Sequence, residues 1–335
     1  MPQPIRIGVL GAARVTQQAL YAPARHVPGV AVTAIAARDR QRAEQQAQKR
    51  GVPRVHDSYQ ALLADPEIDA IYIPLPNSLH CEWTIRALEA GKHVLCEKPI
   101  ACNAEEARQM AAAAERTGRV LIEAMHSRYH PLHDRVAELL REGVVGEIRH
   151  VEAHTCFVIA NGKDIRWQYA MGGGALMDLG VYGMSWARFL AGEEPTVPAA
   201  TVKLASPNVD RWIDARLAFP SGASGRILCS MWGWPIMDGR SWVEGTAGKL
   251  VIDNPTAPQL FYKIELQAGD KKTRYQVKKR PGTYELQLAA FARAIQTGEK
   301  PRTGADYFIA NMAAIDAIYR AAGLSPRGMQ TAGRS

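Results

Sequence analysis

No stretch of this 335-residue sequence is apolar enough to cross a bilayer: none approaches the ~20 consecutive apolar residues a spanning helix needs. The opening residues also lack a basic segment followed by an apolar run and a small-residue cleavage site, so a cytoplasmic chain without a membrane partner is expected. Cysteine is scarce. Cys81, Cys96, Cys102, Cys156 and Cys229 form an odd set with no Cys-x-x-Cys pair, which fits free thiols rather than a disulfide framework or a zinc site. Metal ligands are thin as well. His126, His130 and His133 lie close in number but without a metal-ligand carboxylate partner, and no metal is expected. Aromatic residues make up only 7%, which draws attention to Trp167, Tyr169, Trp232 and Trp234, either as ring-stacking ligand contacts or as core. The net charge of +8 is spread along the chain. Its densest cluster, Lys271-Lys272 through Lys278-Lys279-Arg280, alternates with Tyr275 and Val277 like the solvated face of a strand. No recognition motif accompanies it, so no nucleic-acid partner is expected, although a polyphosphate ligand would suit the excess.

An apolar content of 47% and the length allow two domains with sizeable cores. The first part alternates short apolar strands (Ile5–Leu10, Val30–Ala36, Ala70–Leu75, His93–Cys96, Val120–Ala124) with helical stretches, the pattern of a parallel sheet covered on both faces. Asp39, Ser78 and Asn103 are placed to cap helices that stop at Gly51, Gly91 and Gly118. After Met125 a helix over Leu132–Arg141 leads to period-two segments at Glu147–Phe157, Trp212–Phe219, Ser224–Met231 and Gly248–Ile252, with turns at Pro220–Gly222 and Gly245–Gly248. Two helical runs follow, Tyr284–Gln296 and Ala305–Ala322. The reading is α/β: a doubly wound dinucleotide-binding domain over 1–124, an α+β domain with a large open, mostly antiparallel sheet over 125–325, and a loose tail over 326–335.

Chemistry concentrates at four places. Gly8 and the turn Gly11-Ala12-Ala13-Arg14-Val15-Thr16 depart from the GxGxxG pattern, with Ala and Thr where the later glycines would stand. The turn nevertheless follows the first strand and opens a helix, where a pyrophosphate can approach the backbone. The second strand ends in Ala36-Ala37-Arg38-Asp39. An acid there would favour NAD. Arg38 can instead pair with a 2′-phosphate, so NADP(H) is favoured and Asp39 is left as a helix cap. Leu75-Pro76-Asn77-Ser78-Leu79-His80 lies at the carboxyl edge of the sheet, where Asn77 and His80 could touch the nicotinamide ribose, and Asn77 could equally belong to a capping turn. Cys96-Glu97-Lys98-Pro99 lies on the same edge; its ammonium could hydrogen-bond a substrate oxygen and lower the pKa of a nearby phenol. Gly172–Tyr182 then brings glycines that permit close backbone approach and a helix in which Asp178 and Tyr182, four apart, share a face. As a trio with Lys98 they suit hydride chemistry, with Tyr182 transferring the proton and Asp178 orienting substrate or phenol.

Gly8-x-x-Gly11, Pro76-Asn77-x-x-His80, Glu97-Lys98-Pro99 and Gly172–Tyr182 together resemble the Gfo/Idh/MocA oxidoreductase family over nearly the whole chain. The resemblance implies a Rossmann domain and a second domain whose open sheet commonly packs against its copy, hence a homodimer or a dimer of dimers. It also implies a sugar, inositol, sugar nucleotide or related alcohol carbon as substrate, and for this chain a sugar, polyol or cyclic diol is expected. That family most often carries histidine at the proton-transfer position. Tyr182 there, with Glu123–Pro131 and Arg38, resembles the branch of glucose–fructose oxidoreductase, NADP-dependent D-xylose dehydrogenase and dihydrodiol dehydrogenase. Arg166-Trp167 stands where that branch has cofactor-contacting residues, with a spacing that is not identical. Two rival readings stay open: a catalytically silent cofactor-sensing protein, which would be expected to lose Lys98 or Tyr182, and a redox-neutral NAD(P)-dependent glycoside hydrolase, against which Arg38 argues.

Overall fold

The structure is a computed structural model that describes residues 3–277 and 281–328. It divides into two compact units. The first runs to Ala101, resumes over Glu105–Tyr129 and returns for Pro281–Phe308. Its six strands are β1 (Ile5–Leu10), β2 (Val30–Ala36), β3 (Arg54–His56), β4 (Ala70–Ile73), β5 (His93–Glu97) and β6 (Leu121–Ala124). All pair in parallel in the order β3-β2-β1-β4-β5-β6, so the strand order reverses between β1 and β4, the place where doubly wound sheets bind ligands.

Local sequence explains most of these elements. In β1 every residue but Arg6 is buried, because helices cover both faces. A Cβ at Gly8 would come within 2.6 Å of the Leu62 side chain, so the strand and the helix Tyr59–Leu63 approach closely only with glycine there. The Asp39 carboxylate accepts from the Arg42 amide at 3.2 Å and starts the helix Arg40–Arg50, which ends at Gly51 with φ 71°. Ser78 does not cap. It lies inside a 3₁₀ turn, Asn77–Leu79, that runs into the helix His80–Glu89. β3, three residues long, is too short to show a period.

The first core also claims a segment that reads as part of the second domain. The helix Thr283–Thr297 buries Leu288, Phe291, Ala292 and Ala294 in one cluster with Ile7, Val9, Ile35, Tyr72 and Ile122. Thr303 then fastens the returning chain to β6: its carbonyl accepts from the Glu123 amide at 3.0 Å, and its hydroxyl donates to the Glu123 carbonyl at 2.7 Å.

The second unit takes Cys102–Ala104, residues 130–277 and the chain from Ile309. Its strands are β7 (Ile148–Cys156), β8 (Thr196–Ser206), β9 (Val209–Ala218), β10 (Ser224–Ser230), β11 (Arg240–Gly245), β12 (Lys249–Asp253), β13 (Lys263–Ala268) and β14 (Lys271–Tyr275). They form one sheet in the order β14-β13-β12-β11-β7-β10-β9-β8, antiparallel except where β10 runs parallel to β7. β8 went unread because Pro198 and a largely exposed pattern disguise it, as suits a strand at the sheet edge. The basic run is a strand at the opposite edge over Lys271–Tyr275, while Lys278, Lys279 and Arg280 lie outside the described residues. The tail is held at its start, since Pro326 and Arg327 are buried and Arg327 pairs with Asp210, while residues 329–335 lie outside the described residues. Trp232 and Trp234 are not core residues, since Trp234 is 82% exposed and Trp232 55%. Among the described residues no helix is long and apolar enough to cross a membrane.

One face of β7 lies against the helix Val181–Ala191, where a Cβ on Gly183 would stand 3.4 Å from the Thr155 hydroxyl. Residues of alternate parity carry a charged network. His154 is held between Asp238 at 2.8 Å and Glu152 at 2.6 Å, and Arg226 joins Glu152 to Asp214. Burial alone would lower the His154 pKa, but the bonds to Asp238 and Glu152 outweigh it and raise it above 6.5. Glu152 falls to about 2 and Asp238 is lowered as well, because the histidines and Arg226 on one and Arg240 on the other outweigh burial.

A raised histidine stabilises fully below its unfolded pKa, and that contribution fades as pH rises through the folded value; the depressed carboxylates contribute above their unfolded values and lose that contribution only in acid. His154→Gln should therefore cost about 1.5–3 kcal/mol near pH 6, with the difference from the parent shrinking towards pH 9. Chemical denaturation across that range measures it, and a pH-independent difference would remove His154 as a charged bridge.

Candidate active site

At the carboxyl edge of the first sheet, β1 ends in Gly11 with φ 100°, a conformation that favours glycine, and its amide donates to the Ala36 carbonyl at 2.7 Å. A Cβ there would come 3.0 Å from the Leu75 side chain, so the turn closes directly over the end of β4. The carbonyls of Ala12 and Ala13 accept from Arg42 (3.1 Å) and Gln46 (3.4 Å) of the capped helix. The helix that follows begins as a wide π turn, Gln17–Tyr21, and continues through Ala24 as α-helix. Arg14 and Arg38 are exposed, whereas Val15 is half-buried.

Tyr59 also reaches this turn. Burial pushes its hydroxyl pKa up, opposed by a backbone hydrogen bond from Arg38, and its oxygen lies 3.8 Å from where a Gly11 Cβ would stand. Its ring packs edge-on against Trp83 at 4.8 Å. The one sequence signal is its place at the start of a Ser58-capped helix.

Both ring nitrogens of His80 meet backbone carbonyls. It is fully buried, with Nδ1 2.8 Å from the Pro99 carbonyl and Nε2 2.8 Å from the Leu75 carbonyl, so it fastens the loops that follow β4 and β5 to each other. Burial pushes its pKa down, against the pull of those two carbonyls towards the protonated ring. Pro76 and Asn77, half-buried, sit in the loop that it anchors. Glu97 accepts from the Tyr72 hydroxyl at 2.6 Å and from the Lys98 amide at 3.3 Å. Burial raises the Glu97 pKa, with the Tyr72 hydroxyl and the Lys98 charge opposing. Tyr72, fully buried beside it, is pushed well above its ordinary value by burial and then by Glu97. The Glu97 carboxylate thus holds the strand end through the Tyr72 hydroxyl and the Lys98 amide.

In the second unit, Asp164 caps the 3₁₀ turn Ile165–Trp167 and accepts from Arg166 Nη1 at 3.0 Å. Arg166 Nε is 2.9 Å from Asp178 Oδ2. Arg166 therefore orients Asp178 through an ion pair that the sequence reading did not anticipate. Its pKa is raised chiefly by the Asp178 charge. Trp167 is half-buried in the same turn. The glycines act as expected: the Gly174 amide donates to the Arg166 carbonyl at 2.9 Å, and a Cβ on Gly173 would strike that carbonyl. Asp178 falls in a π turn, Leu176–Gly180, and Tyr182 in the first turn of Val181–Ala191. The wider turn keeps residues four apart on one side, and both side chains are half-buried. Of the clustered histidines, His126 meets the Thr283 hydroxyl at 3.0 Å, His130 caps Pro131–Arg141 and His133 stacks on Phe189 at 3.5 Å, each in a structural role.

Residues 5–125 match the model of an oxidoreductase family with an NAD-binding Rossmann fold, and residues 133–251 match the GFO/IDH/MocA C-terminal domain. The chain is 36% identical to D-xylose 1-dehydrogenase (NADP(+)) 2 of Haloferax volcanii, over 94% of this chain and 96% of that protein. The chain belongs to the GFO/IDH/MocA oxidoreductase family. It is also 34% identical to trans-1,2-dihydrobenzene-1,2-diol dehydrogenase of Mus musculus over 68% of each chain. Among solved structures, a 3-ketoreductase from Actinomadura kijaniata in complex with NADP and TDP-benzene superposes with a TM-score of 0.88 at 30% identity, covering 95% of this chain and 98% of that one.

As a GFO/IDH/MocA member the chain is an oxidoreductase built on a dinucleotide-binding domain, and the residues present fit such a group. Gly11 leaves no side chain between the turn and the end of β4, Ala12 and Ala13 keep the turn slim, and Arg38 stands exposed at the end of β2.

Proposed function

We propose that this enzyme uses NADP(H) to transfer hydride between the nicotinamide and a carbonyl or alcohol carbon of a sugar, polyol or cyclic diol. The observation that carries the reading is the pair of devices at one sheet edge: a positive-φ glycine turn beside an exposed Arg38, and Lys98 beside a Glu97 already held by Tyr72. The nicotinamide, when bound, supplies or accepts the hydride. Gly11–Val15 hold the pyrophosphate, Arg38 the 2′-phosphate, and Leu75–Asn77 the nicotinamide side. His80 acts indirectly by fixing that loop. Lys98 donates to the substrate oxygen, Tyr182 gives or takes the proton there, and Asp178, held by Arg166, orients substrate or phenol. The relatives, two dehydrogenases and a 3-ketoreductase, support the reading of hydride transfer.

The test is reduced-nicotinamide absorbance with purified protein against aldoses, inositols and cyclic diols, each with NADP and NAD. Tight cofactor binding with no net redox change on any of them would overturn the proposal and favour a redox-neutral or silent protein. Arg38→Ala should weaken NADPH binding about 10- to 100-fold, as expected for loss of a hydrogen bond to a charged group, and leave NADH binding nearly unchanged. Fluorescence titration reads both, and equal losses would eliminate the 2′-phosphate contact.

A further inference from the structure

We infer that Arg327, near the end of the described chain, is a positioning residue that sets the glycine loop leading into the turn of Asp178 and the helix of Tyr182. This rests on the proton-transfer role proposed above for Tyr182. Arg327 is 1% exposed. Its guanidinium does two things at once: Nε donates to the Gly173 carbonyl at 2.9 Å, and Nη2 pairs with Asp210 of β9, which is fully buried. The other Asp210 oxygen accepts from the Leu176 amide at 2.7 Å, the first residue of the π turn that contains Asp178. Tyr319 donates to Asp210 at 3.0 Å, and its ring lies 4.3 Å from the guanidinium. The Arg327 carbonyl in turn accepts from Asn103 at 2.8 Å, so the segment that carries the guanidinium is itself fixed.

The loop is thus gripped on both flanks, at Gly173 and at Leu176, by one ion pair. Gly174 between them has φ 132°, and a Cβ there would collide with the Asp210 carboxylate. The absence of a side chain lets the pair sit directly against the backbone. A planar guanidinium can reach a carbonyl and a carboxylate together in fixed geometry, whereas an ammonium on a flexible stem cannot hold both in register. Because a misplacement of about 1 Å at a reacting group can cost about 100-fold in rate, a slack loop should be felt in turnover.

Arg327→Lys retains the charge, and Arg327→Ala can be supplemented with free guanidinium ion. In Arg327→Lys we expect kcat to fall about 10- to 100-fold, NADPH affinity to stay within about twofold, and amide exchange to quicken over 173–182 but not over β9 and β10. Guanidinium should restore part of the kcat lost in Arg327→Ala. Parental kcat and unchanged exchange would overturn the inference. So would a uniform rise in exchange with loss of NADPH binding, the mark of a merely structural pair. If the parent turns over none of the substrates, the functional reading fails, and exchange over 173–182 still decides the role of Arg327.

Discussion

Lys98→Met is expected to lower kcat by about 10³-fold, the upper range for loss of one donor to a developing oxyanion, with NADPH affinity and melting temperature little changed. Methionine preserves the length and packing of the lysine stem, so the loss should fall on chemistry. The surroundings support this. Glu97 receives the Tyr72 hydroxyl and the Lys98 amide, two bonds at the strand end that do not involve the ammonium. Lys98 does oppose the upward push of burial on Glu97, so its removal should raise that carboxyl further. Steady-state kinetics beside a fluorescence titration separates the two quantities. A kcat within threefold of the parent would strike Lys98 from the mechanism, and a parallel collapse of NADPH binding would make it a cofactor residue only.

Tyr182→Phe should cut kcat by roughly 10²–10⁴-fold, the usual range for a general acid or base, while KM moves only a few-fold. Phenylalanine keeps the ring and removes only the hydroxyl, and the helix Val181–Ala191 that carries it is fixed by buried Val181, Met184 and Trp186. The pH profile gives a second reading. The limb of the kcat curve that reports the phenol should vanish in the variant, since phenylalanine has nothing to titrate. Near-normal rates, or a parental profile, would transfer the proton step to another group. Measuring Lys98→Met and Tyr182→Phe together with the double variant shows whether they act as a unit, in which case the losses will not add.

Much of the first sheet was legible because its determinants are local. β1 and β2 fall where the apolar runs end, and Asp39 and Gly51 bound their helix through contacts within a few residues. The basic strand Lys271–Tyr275 was legible for the same reason, as alternation at a solvated edge. What escaped was non-local. His80 reads as a ligand contact from its place after a strand, yet the Pro99 carbonyl, 19 residues on, occupies its Nδ1. Arg166 reads as a cofactor residue, and its ion pair with Asp178, 12 residues on, has no mark in the sequence. The helix Thr283–Thr297 joins the first core although more than 150 residues separate it from β6.

By itself the sequence determined the two sheet types, the strand-end positions of Arg38, Glu97 and Lys98, and the glycines that shape the turns. Periodicity, capping and the steric freedom of glycine act within a few residues and need no partner. Only the tertiary structure decided that His80 joins two loops, that Arg166 holds Asp178, and that Arg327 grips Asp210 across 117 residues of chain. A buried polar group must find its partner wherever sheet register and packing bring one, and that choice is made by the assembled fold.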